Sequence, residues 1–206
     1  MERSPVYKEK SQMAFDRQAE VYDSTYYGQH ARKTYDAVIA AMDRYAFKSV
    51  LDIGCGTGNM LLQILGRHAV EAAGIDLSDK MLDIAKERVG IAADLRKGDS
   101  EHLPWENGKF DMVICTDSFH HYPNPKAVLR EMGRVLAKGG KVVVADPWLP
   151  SPFRQIANIF MPFGKDGDIK MYSEREMKKM LEECNLEFIS WRKLGRSAFV
   201  AVASKG

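Results

Sequence analysis

The fold of this chain is decided by the stretch Val50-Leu51-Asp52-Ile53-Gly54-Cys55-Gly56-Thr57-Gly58. Its apolar start predicts a short buried strand, and the residues from Asn59 to Leu65 have the apolar pattern of a helix. A glycine-rich turn between a parallel strand and a helix brings bare backbone close to a ligand, because glycine has no Cβ to obstruct it. The stretch therefore predicts a strand–turn–helix unit that binds a ligand.

The spacing of the glycines distinguishes between two classes of cofactor. The dinucleotide fingerprint G-x-G-x-x-G needs a third glycine where this chain has Asn59, so a nicotinamide oxidoreductase is disfavoured. The pattern D-x-G-x-G-x-G resembles motif I of the class I S-adenosylmethionine-dependent methyltransferases. That cofactor has no phosphate but carries an ammonium group, which the carboxylate of Asp52 suits. The resemblance implies cofactor contacts at Asp52, Gly54, Cys55, Gly56 and Gly58; a generic glycine-rich turn is the alternative.

Length and composition bound the class of protein. A chain of 206 residues with 45% hydrophobic and 28% charged residues is most simply a single globular domain. No apolar run approaches membrane-spanning length and the start lacks a signal-peptide core, so we expect a cytoplasmic location and no membrane partner. A net charge of +2 without a dense Lys/Arg block argues against a nucleic-acid partner. Cys55, Cys115 and Cys184 are scattered, which favours free thiols over disulfides or a zinc site.

An acidic residue ends the second predicted strand, Val70 to Ile75. Asp76 follows the glycines by about 20 residues, the spacing of a carboxylate that accepts both ribose hydroxyls. The alternative is that Asp76 caps the next helix, but Ser78 and Asp79 are already suited to that role. The family resemblance extends the predicted cofactor contacts to Leu77 and Met81.

The third and fourth strands lead to two further polar segments. After a weak strand, Ala93 to Lys97, the segment Gly98-Asp99-Ser100-Glu101-His102-Leu103-Pro104 resembles the family's G-D-A-x-x-L-P. The resemblance places Asp99 at the adenine amino group and Ser100 beside it; a solvated turn acid is the alternative. The buried strand Phe110 to Thr116 then ends in a loop that borders the path of the methyl group. In that region we expect cofactor contacts from Thr116 and Asp117.

A pair of histidines lies in this loop, at positions 120 and 121. His120 and His121 are the candidate catalytic residues, because a side chain with a near-neutral pKa suits deprotonation of an acceptor. Contact with the cofactor, or packing of the loop, is the alternative. No metal site is expected, because adjacent side chains should diverge and no third ligand is evident. The loop also lacks the N-P-P-Y or D-P-P-Y sequence of methyltransferases that act on amide or base nitrogens.

The first 46 residues are predicted to form an N-terminal helical cover. Phe15 to Asp23 resembles the segment F-D-x-x-A-x-x-Y-D, which helps to cover the cofactor in small-molecule methyltransferases, and Tyr22 is its expected contact. An amphipathic helix that packs on the core is the alternative. We predict a helix over 8–22, an aromatic loop at Tyr26-Tyr27-Gly28, and a second helix from His30 to Arg44.

Residues 147–172 form an apolar insertion that contains four prolines. An excursion at this place in the chain is expected over the substrate site; a dimer contact and a packed cap are the alternatives.

The element order βα, βα, β, βα, βα, ββ from Val50 to Ala203 predicts an α/β fold with a doubly wound, mostly parallel sheet. The resemblance implies seven strands in the order 3-2-1-4-5-7-6, with the last strand antiparallel and helices on both faces. Residues 1–206 are identified as a member of the ubiquinone-biosynthesis-like, methyltransferase 11 type. The implied activity is methyl transfer from S-adenosylmethionine to a small-molecule acceptor, with S-adenosylhomocysteine as product. A protein that binds these ligands without turnover is the alternative, and the oligomeric state is left open.

Overall fold

The structure, a computed structural model, describes residues 4–206. Its strands are β1 (Ser49–Ile53), β2 (Glu71–Asp76), β3 (Ala93–Lys97), β4 (Phe110–Thr116), β5 (Leu136–Pro147), β6 (Leu186–Leu194) and β7 (Ala198–Lys205). Its α-helices are α1 (Ser4–Gln18), α2 (Tyr26–Met42), α3 (Asn59–Leu65), α4 (Asp79–Val89), α5 (Pro125–Val135), α6 (Phe153–Phe160) and α7 (Glu174–Glu183). None of the helices in residues 4–206 combines the length and the apolar character that a membrane span needs.

The strands form one seven-stranded sheet in the order β3-β2-β1-β4-β5-β7-β6. Strands β1 to β5 pair in parallel, whereas β7 lies antiparallel between β5 and β6. The predicted α/β class, strand order and antiparallel last strand are confirmed.

Both faces of the sheet are buried, and β4 shows why its sequence is apolar throughout. Successive side chains of a strand point to opposite faces. Val113 and Cys115 belong to the same core cluster as the apolar face of α5, whereas Met112 and Ile114 belong to the cluster that contains residues of α2. A strand that is covered on both faces lacks the alternation of a half-exposed strand.

The N-terminal segment differs from its prediction in two places. The first helix begins at Ser4 and ends at Gln18, and a 3-10 helix, Ala19–Ser24, follows it. The predicted aromatic loop at residues 26–28 is wrong, because these residues form the first turn of α2. Thr25 caps that turn: its hydroxyl oxygen accepts a hydrogen bond from the Gly28 amide at 3.2 Å.

The segment 147–172 contains α6 and a 3-10 helix, Met161–Phe163. The amides of Ile169 and Lys170 donate to the His120 carbonyl at 2.9 and 3.2 Å, which fixes the end of the segment beside the loop after β4. Much of its apolar surface is exposed, including Phe153, Ile156, Ile159, Phe160 and Phe163. The end of the segment, rather than α6, is therefore the part that lies against the carboxyl end of β4.

Candidate active site

A cavity lies at the carboxyl ends of the parallel strands, between the sheet and α1. Many of the predicted cofactor contacts line it: Tyr22, Asp52, Gly54, Cys55, Gly56, Asp76, Leu77, Met81, Asp99, Ser100, Thr116 and Asp117. His121 lines it as well, whereas His120 lines a second cavity beside it. The structure thus brings together residues from β1, β2, β4 and the loops that follow β1 to β4, because parallel strands present their carboxyl ends at one edge of a sheet.

The glycines of the first turn have different tasks. Gly54 has a φ of +72°, and a Cβ at this position would lie 2.1 Å from the Ser118 hydroxyl oxygen. Gly58 has a φ of +77° and precedes α3, and a Cβ there would lie 3.0 Å from the Cβ of Ala85 in α4. Gly54 therefore permits a close approach at the cavity, whereas Gly58 permits two helices to pack behind it.

Asp76 organises the glycine turn. One carboxylate oxygen accepts the Gly56 amide at 2.8 Å, and the other accepts the Ser78 amide at 2.9 Å. Each oxygen has a further lone pair with which it can accept another hydrogen bond. The sequence predicted a role in ligand binding for this carboxylate; its role in the backbone of the turn is a finding of the structure.

Asp52 is a buried carboxylate with an unsatisfied oxygen. Its side chain is 2% exposed, and its Oδ1 atom has no hydrogen-bond partner among residues 4–206. Burial and, next, the negative charge of Asp76 raise the pKa of Asp52 to about 8. A buried charge is costly unless it is paired. The ammonium group of S-adenosylmethionine is the kind of cation that this carboxylate lacks, so the residues present fit the cofactor that the sequence implies.

The N-terminal cover is tied to the cavity by polar contacts at both ends of α1. Lys8 Nζ lies 2.7 Å from Asp99 Oδ2 and 2.7 Å from Glu101 Oε1. Nearer the other end, the Ser78 hydroxyl donates to Asp16 at 2.5 Å. Asp99, predicted at the adenine amino group, is thus paired with a lysine in this state. No sequence signal marked Lys8.

Asp23 joins the 3-10 helix after α1 to the glycine turn. Its Oδ1 accepts from the Thr57 hydroxyl at 3.0 Å and from the side-chain Nδ2 of Asn59 at 2.6 Å. Its other oxygen pairs with Arg88 of α4. Asp23 is the last residue of the F-D-x-x-A-x-x-Y-D segment, so the family resemblance already pointed to it as a functional residue. Its hydrogen-bond partners could not be predicted from the sequence.

Asp117 has an unusual backbone conformation at the edge of both cavities. Its φ is +55°, a value that costs a non-glycine residue on the order of 1–3 kcal/mol. Its amide donates to the Ala145 carbonyl at 2.8 Å, and its carboxylate lies 3.1 Å from His30 Nδ1. Contacts from β5 and α2 therefore hold this residue where the two cavities meet.

The two histidines have opposite electrostatic environments. His120 Nδ1 lies 3.0 Å from Asp146 Oδ1, which also accepts the Phe119 amide at 3.1 Å. Burial lowers the pKa of His120, but the negative charges of Asp146 and other nearby acids outweigh this effect. The pKa of His120 is therefore raised to about 9. Burial and the charge of His120 hold the pKa of His121 well below its ordinary value. At neutral pH, His120 is therefore protonated and His121 is neutral.

The side chains of His120 and His121 do not diverge. The expectation that these adjacent side chains point apart, which was one reason against a metal site, is therefore wrong. Their rings lie 4.0 Å apart, centroid to centroid. Asp168 Oδ1 lies 3.6 Å from His120 Nε2 and 3.2 Å from His121 Nδ1. Neither Asp146 nor Asp168 was singled out from the sequence. One feature of the sequence could have identified Asp146: it is an acidic residue directly after an apolar run in strand β5.

The second cavity adjoins the first one. It is lined by Phe15, Gln18, Tyr22, Asp117, His120, His121, Asp166 and Asp168. Phe15, Tyr22, Asp117 and His121 line both cavities. The arrangement therefore places a small recess, lined by aromatic, histidine and aspartate side chains, directly beside the main cavity.

Comparison with known proteins supports this interpretation of the fold. Residues 51–144 match the model of the methyltransferase domain family. The chain is 33% identical over 147 residues to the 27-O-demethylrifamycin SV methyltransferase of Amycolatopsis mediterranei, covering 67% of this chain and 53% of the relative. It is 38% identical over 104 residues to the ubiquinone biosynthesis O-methyltransferase of Dechloromonas aromatica, covering 48% of this chain and 44% of the relative.

A solved structure from Thermotoga maritima, described as an S-adenosylmethionine-dependent methyltransferase and possible histamine N-methyltransferase, has a TM-score of 0.72 and 19% identity. The match covers 94% of this chain and 99% of that one. At this identity it shows the fold alone. The matched part of the chain spans only about half the length of the two curated relatives. Residues 51–144 belong to the methyltransferase-domain family, and the chain has the seven-stranded fold seen in solved structures of S-adenosylmethionine-dependent methyltransferases.

Proposed function

We propose that this protein transfers a methyl group from S-adenosylmethionine to a hydroxyl-bearing small molecule and releases S-adenosylhomocysteine. The observation that carries the proposal is the buried carboxyl group of Asp52, whose Oδ1 has no hydrogen-bond partner in residues 4–206, beside Asp76 in a cavity at the carboxyl ends of the strands. The hydroxyl acceptor is proposed because the curated relatives include a 27-O-demethylrifamycin SV methyltransferase and ubiquinone biosynthesis O-methyltransferases.

The cofactor would be held by side chains with distinct chemical tasks. Asp52 would pair with its ammonium group, and Asp76 would accept its ribose hydroxyls through the lone pairs that the backbone amides leave free. Asp99 and Ser100 would lie at the adenine ring. The remaining proposed contacts are Gly54, Cys55, Gly56, Leu77, Met81, Thr116, Asp117 and Tyr22, with Gly58 acting through the packing of the turn.

When bound, S-adenosylmethionine supplies a methyl group on a sulfonium, which is already an activated leaving group. The chain's own residues then have to orient the acceptor, exclude water and receive a proton. Orientation alone can lower a barrier by roughly 7–11 kcal/mol. Phe15 and Tyr22, which line both cavities, would exclude water there. Of the two histidines, His121 is the one with a free lone pair for the acceptor's proton, since His120 already carries a proton; burial and the charge of His120, which lower the pKa of His121, make it a weak base.

The acceptor would place its hydroxyl group in the second cavity, which is too small for the whole molecule unless a covering segment opens. Residues 1–206 would then act as a single methyltransferase domain in which two segments close the site. Residues 1–46 would cover the cofactor, a role supported by the contacts of Lys8, Asp16 and Asp23. Residues 147–172 would cover the acceptor, supported by the place of Asp166 and Asp168 in the second cavity.

The test has a binding arm and a turnover arm. Titration calorimetry should show binding of S-adenosylhomocysteine and no binding of NAD; the reverse result would overturn the proposal. In the turnover arm, phenols and aliphatic alcohols are screened for S-adenosylhomocysteine release. With an accepted compound, His121→Gln should lower kcat while the Kd for S-adenosylhomocysteine stays the same. His68→Gln, outside both cavities, is the matched control. Cofactor binding without release on any acceptor would favour a binding protein.

A further inference from the structure

We propose that His120, His121 and Asp168 form a binding site for a divalent transition-metal ion in the second cavity. Two imidazoles and one carboxylate are a ligand set that suits zinc and other first-row divalent metals. The set is assembled by the fold, because Asp168 comes from the segment after α6 and the histidines come from the loop after β4.

The distances between the ligand atoms suit a shared metal ion. One atom from each residue lies within 4.8 Å of the other two. Asp168 Oδ1 lies 3.6 Å from His120 Nε2 and 3.2 Å from His121 Nδ1. Ligand atoms at about 2.0–2.1 Å from a tetrahedral metal ion are separated by about 3.4 Å from one another. The two separations that involve Asp168 are therefore close to those of a tetrahedral site, and the separation between the two histidine nitrogens is at most 4.8 Å.

The surroundings of His120 are those of a metal ligand. A metal-bound histidine usually donates its other ring N–H to a carboxylate or a backbone carbonyl, which fixes the orientation of the ring. His120 Nδ1 lies 3.0 Å from the carboxylate of the buried residue Asp146, so the ion would bind Nε2 and displace the proton that this nitrogen carries in protonated His120. Asp146 therefore takes the position of an outer partner for His120.

An ion pair is the ordinary explanation of such a cluster, and it leaves part of it unexplained. Protonated His120 between Asp146 and Asp168 accounts for three of the side chains. It does not account for His121 Nδ1, which is buried and forms no hydrogen bond with any described residue although Asp168 lies close by. A metal ion at the centre of the cluster would use the lone pair of that nitrogen.

The position of the site gives the ion a chemical task, and this part of the inference rests on the proposed function. His121 and Asp117 line both cavities, so the open coordination positions of the ion would lie where the acceptor meets the cofactor. A metal ion lowers the pKa of an oxygen that it binds. The ion would then lower the pKa of the acceptor hydroxyl, and the released proton would pass to solvent water, because His121 as a metal ligand has no free lone pair to accept it.

The experiment uses Co²⁺ as a spectroscopic probe on the full chain, produced without a metal-affinity tag and stripped with a chelator. Titration should give visible absorption bands that saturate at about one Co²⁺ per chain and are displaced by Zn²⁺. Mutation of an outer partner typically weakens metal binding tenfold to hundredfold. Asp168→Asn and His121→Gln, which remove direct ligands, should each weaken Co²⁺ binding by at least that factor. His68→Gln is the matched control, since His68 Nε2 pairs with Asp43 at 3.1 Å outside the cluster.

Asp146→Asn tests the positioning role, and an altered Co²⁺ spectrum with roughly tenfold to hundredfold weaker binding is expected. If this buried substitution prevents folding, Asp168→Asn still decides the question, because that side chain is 24% exposed. The proposal is overturned if the parent gives no saturable bands, or if the Asp168 and His121 variants bind Co²⁺ as tightly as the parent. S-adenosylhomocysteine binding is measured on the same samples, so failure of the metal site is distinguishable from failure of the proposed function.

Discussion

Asp52 and Asp76 lie near the carboxyl ends of the neighbouring parallel strands β1 and β2, and both carboxyl groups line one cavity. Burial and the charge of Asp76 raise the pKa of Asp52 to about 8, so Asp52 carries a proton most of the time at pH 7 in the free protein. A ligand with an ammonium group would favour the ionised form of Asp52 and lower its pKa. Binding of such a ligand should therefore release the proton of Asp52 and pair the carboxylate with the ligand's ammonium group.

We therefore expect S-adenosylhomocysteine binding to release up to about one proton at pH 7. Because the pKa of the free protein is raised and that of the complex is lower, affinity should increase as the pH rises from about 6 to 8. Calorimetry in phosphate and in Tris, which differ in ionisation enthalpy, measures the released proton directly. Asp52→Asn should abolish the buffer dependence. Equal heats in both buffers for the parent protein would contradict this assignment.

Asp76→Ala should weaken cofactor binding by roughly 2–4 kcal/mol, or about thirty- to a thousand-fold, because two ribose hydroxyls lose their acceptor. The Gly56 and Ser78 amides lose their acceptor as well, so the melting temperature has to be measured beside the Kd. Asp79→Ala is the control, since that exposed carboxylate pairs only with Lys97 among the ion pairs of residues 4–206. A folded Asp76 variant that binds within about threefold of the parent would refute the ribose assignment.

Gly54→Ala and Gly139→Ala form a matched pair. Both positions have a φ near +75°, so alanine costs each about 1–2 kcal/mol of stability. A Cβ at Gly139 enters open space, whereas one at Gly54 lies 2.1 Å from the Ser118 hydroxyl oxygen at the cavity. We expect both variants to melt at a lower temperature, but only Gly54→Ala to lose affinity for S-adenosylhomocysteine. Equal affinity in the two variants would show that the close approach at Gly54 is unimportant for binding.

At least one of the two covering segments should open in the absence of ligand, since a permanently closed site would block exchange. Addition of S-adenosylhomocysteine should increase hydrogen-exchange protection in residues 8–28 or 147–172, well beyond any increase in residues 186–203, because closure expels water and aligns the acceptor. Full protection of both segments in the ligand-free protein would instead make them permanent parts of the core.

Regular elements were predicted well wherever an apolar pattern was bounded by clear signals. The bounds of α3, β3 and β4 agree with those of the structure residue for residue. The prediction failed at residues 26–28, where aromatic residues and glycine suggested a loop but Thr25 caps a helix. Capping by one side chain can outweigh the preference of the residues that follow, and such local competition is poorly resolved by pattern alone.

The sequence by itself determined a doubly wound, mostly parallel sheet and the edge of that sheet at which Asp52, Asp76 and Asp99 meet, whereas the strand order was implied by the family resemblance. Parallel strands have to present their carboxyl ends together, so residues at those ends share a site. Only the tertiary structure decided which side chains reach that edge from elsewhere: Lys8, Asp23, Asp146 and Asp168. Loops and terminal segments have no periodicity that fixes where they cross the strand ends. The pKa values of Asp52 and His120 also depend on burial and neighbouring charges, which exist only in the folded chain.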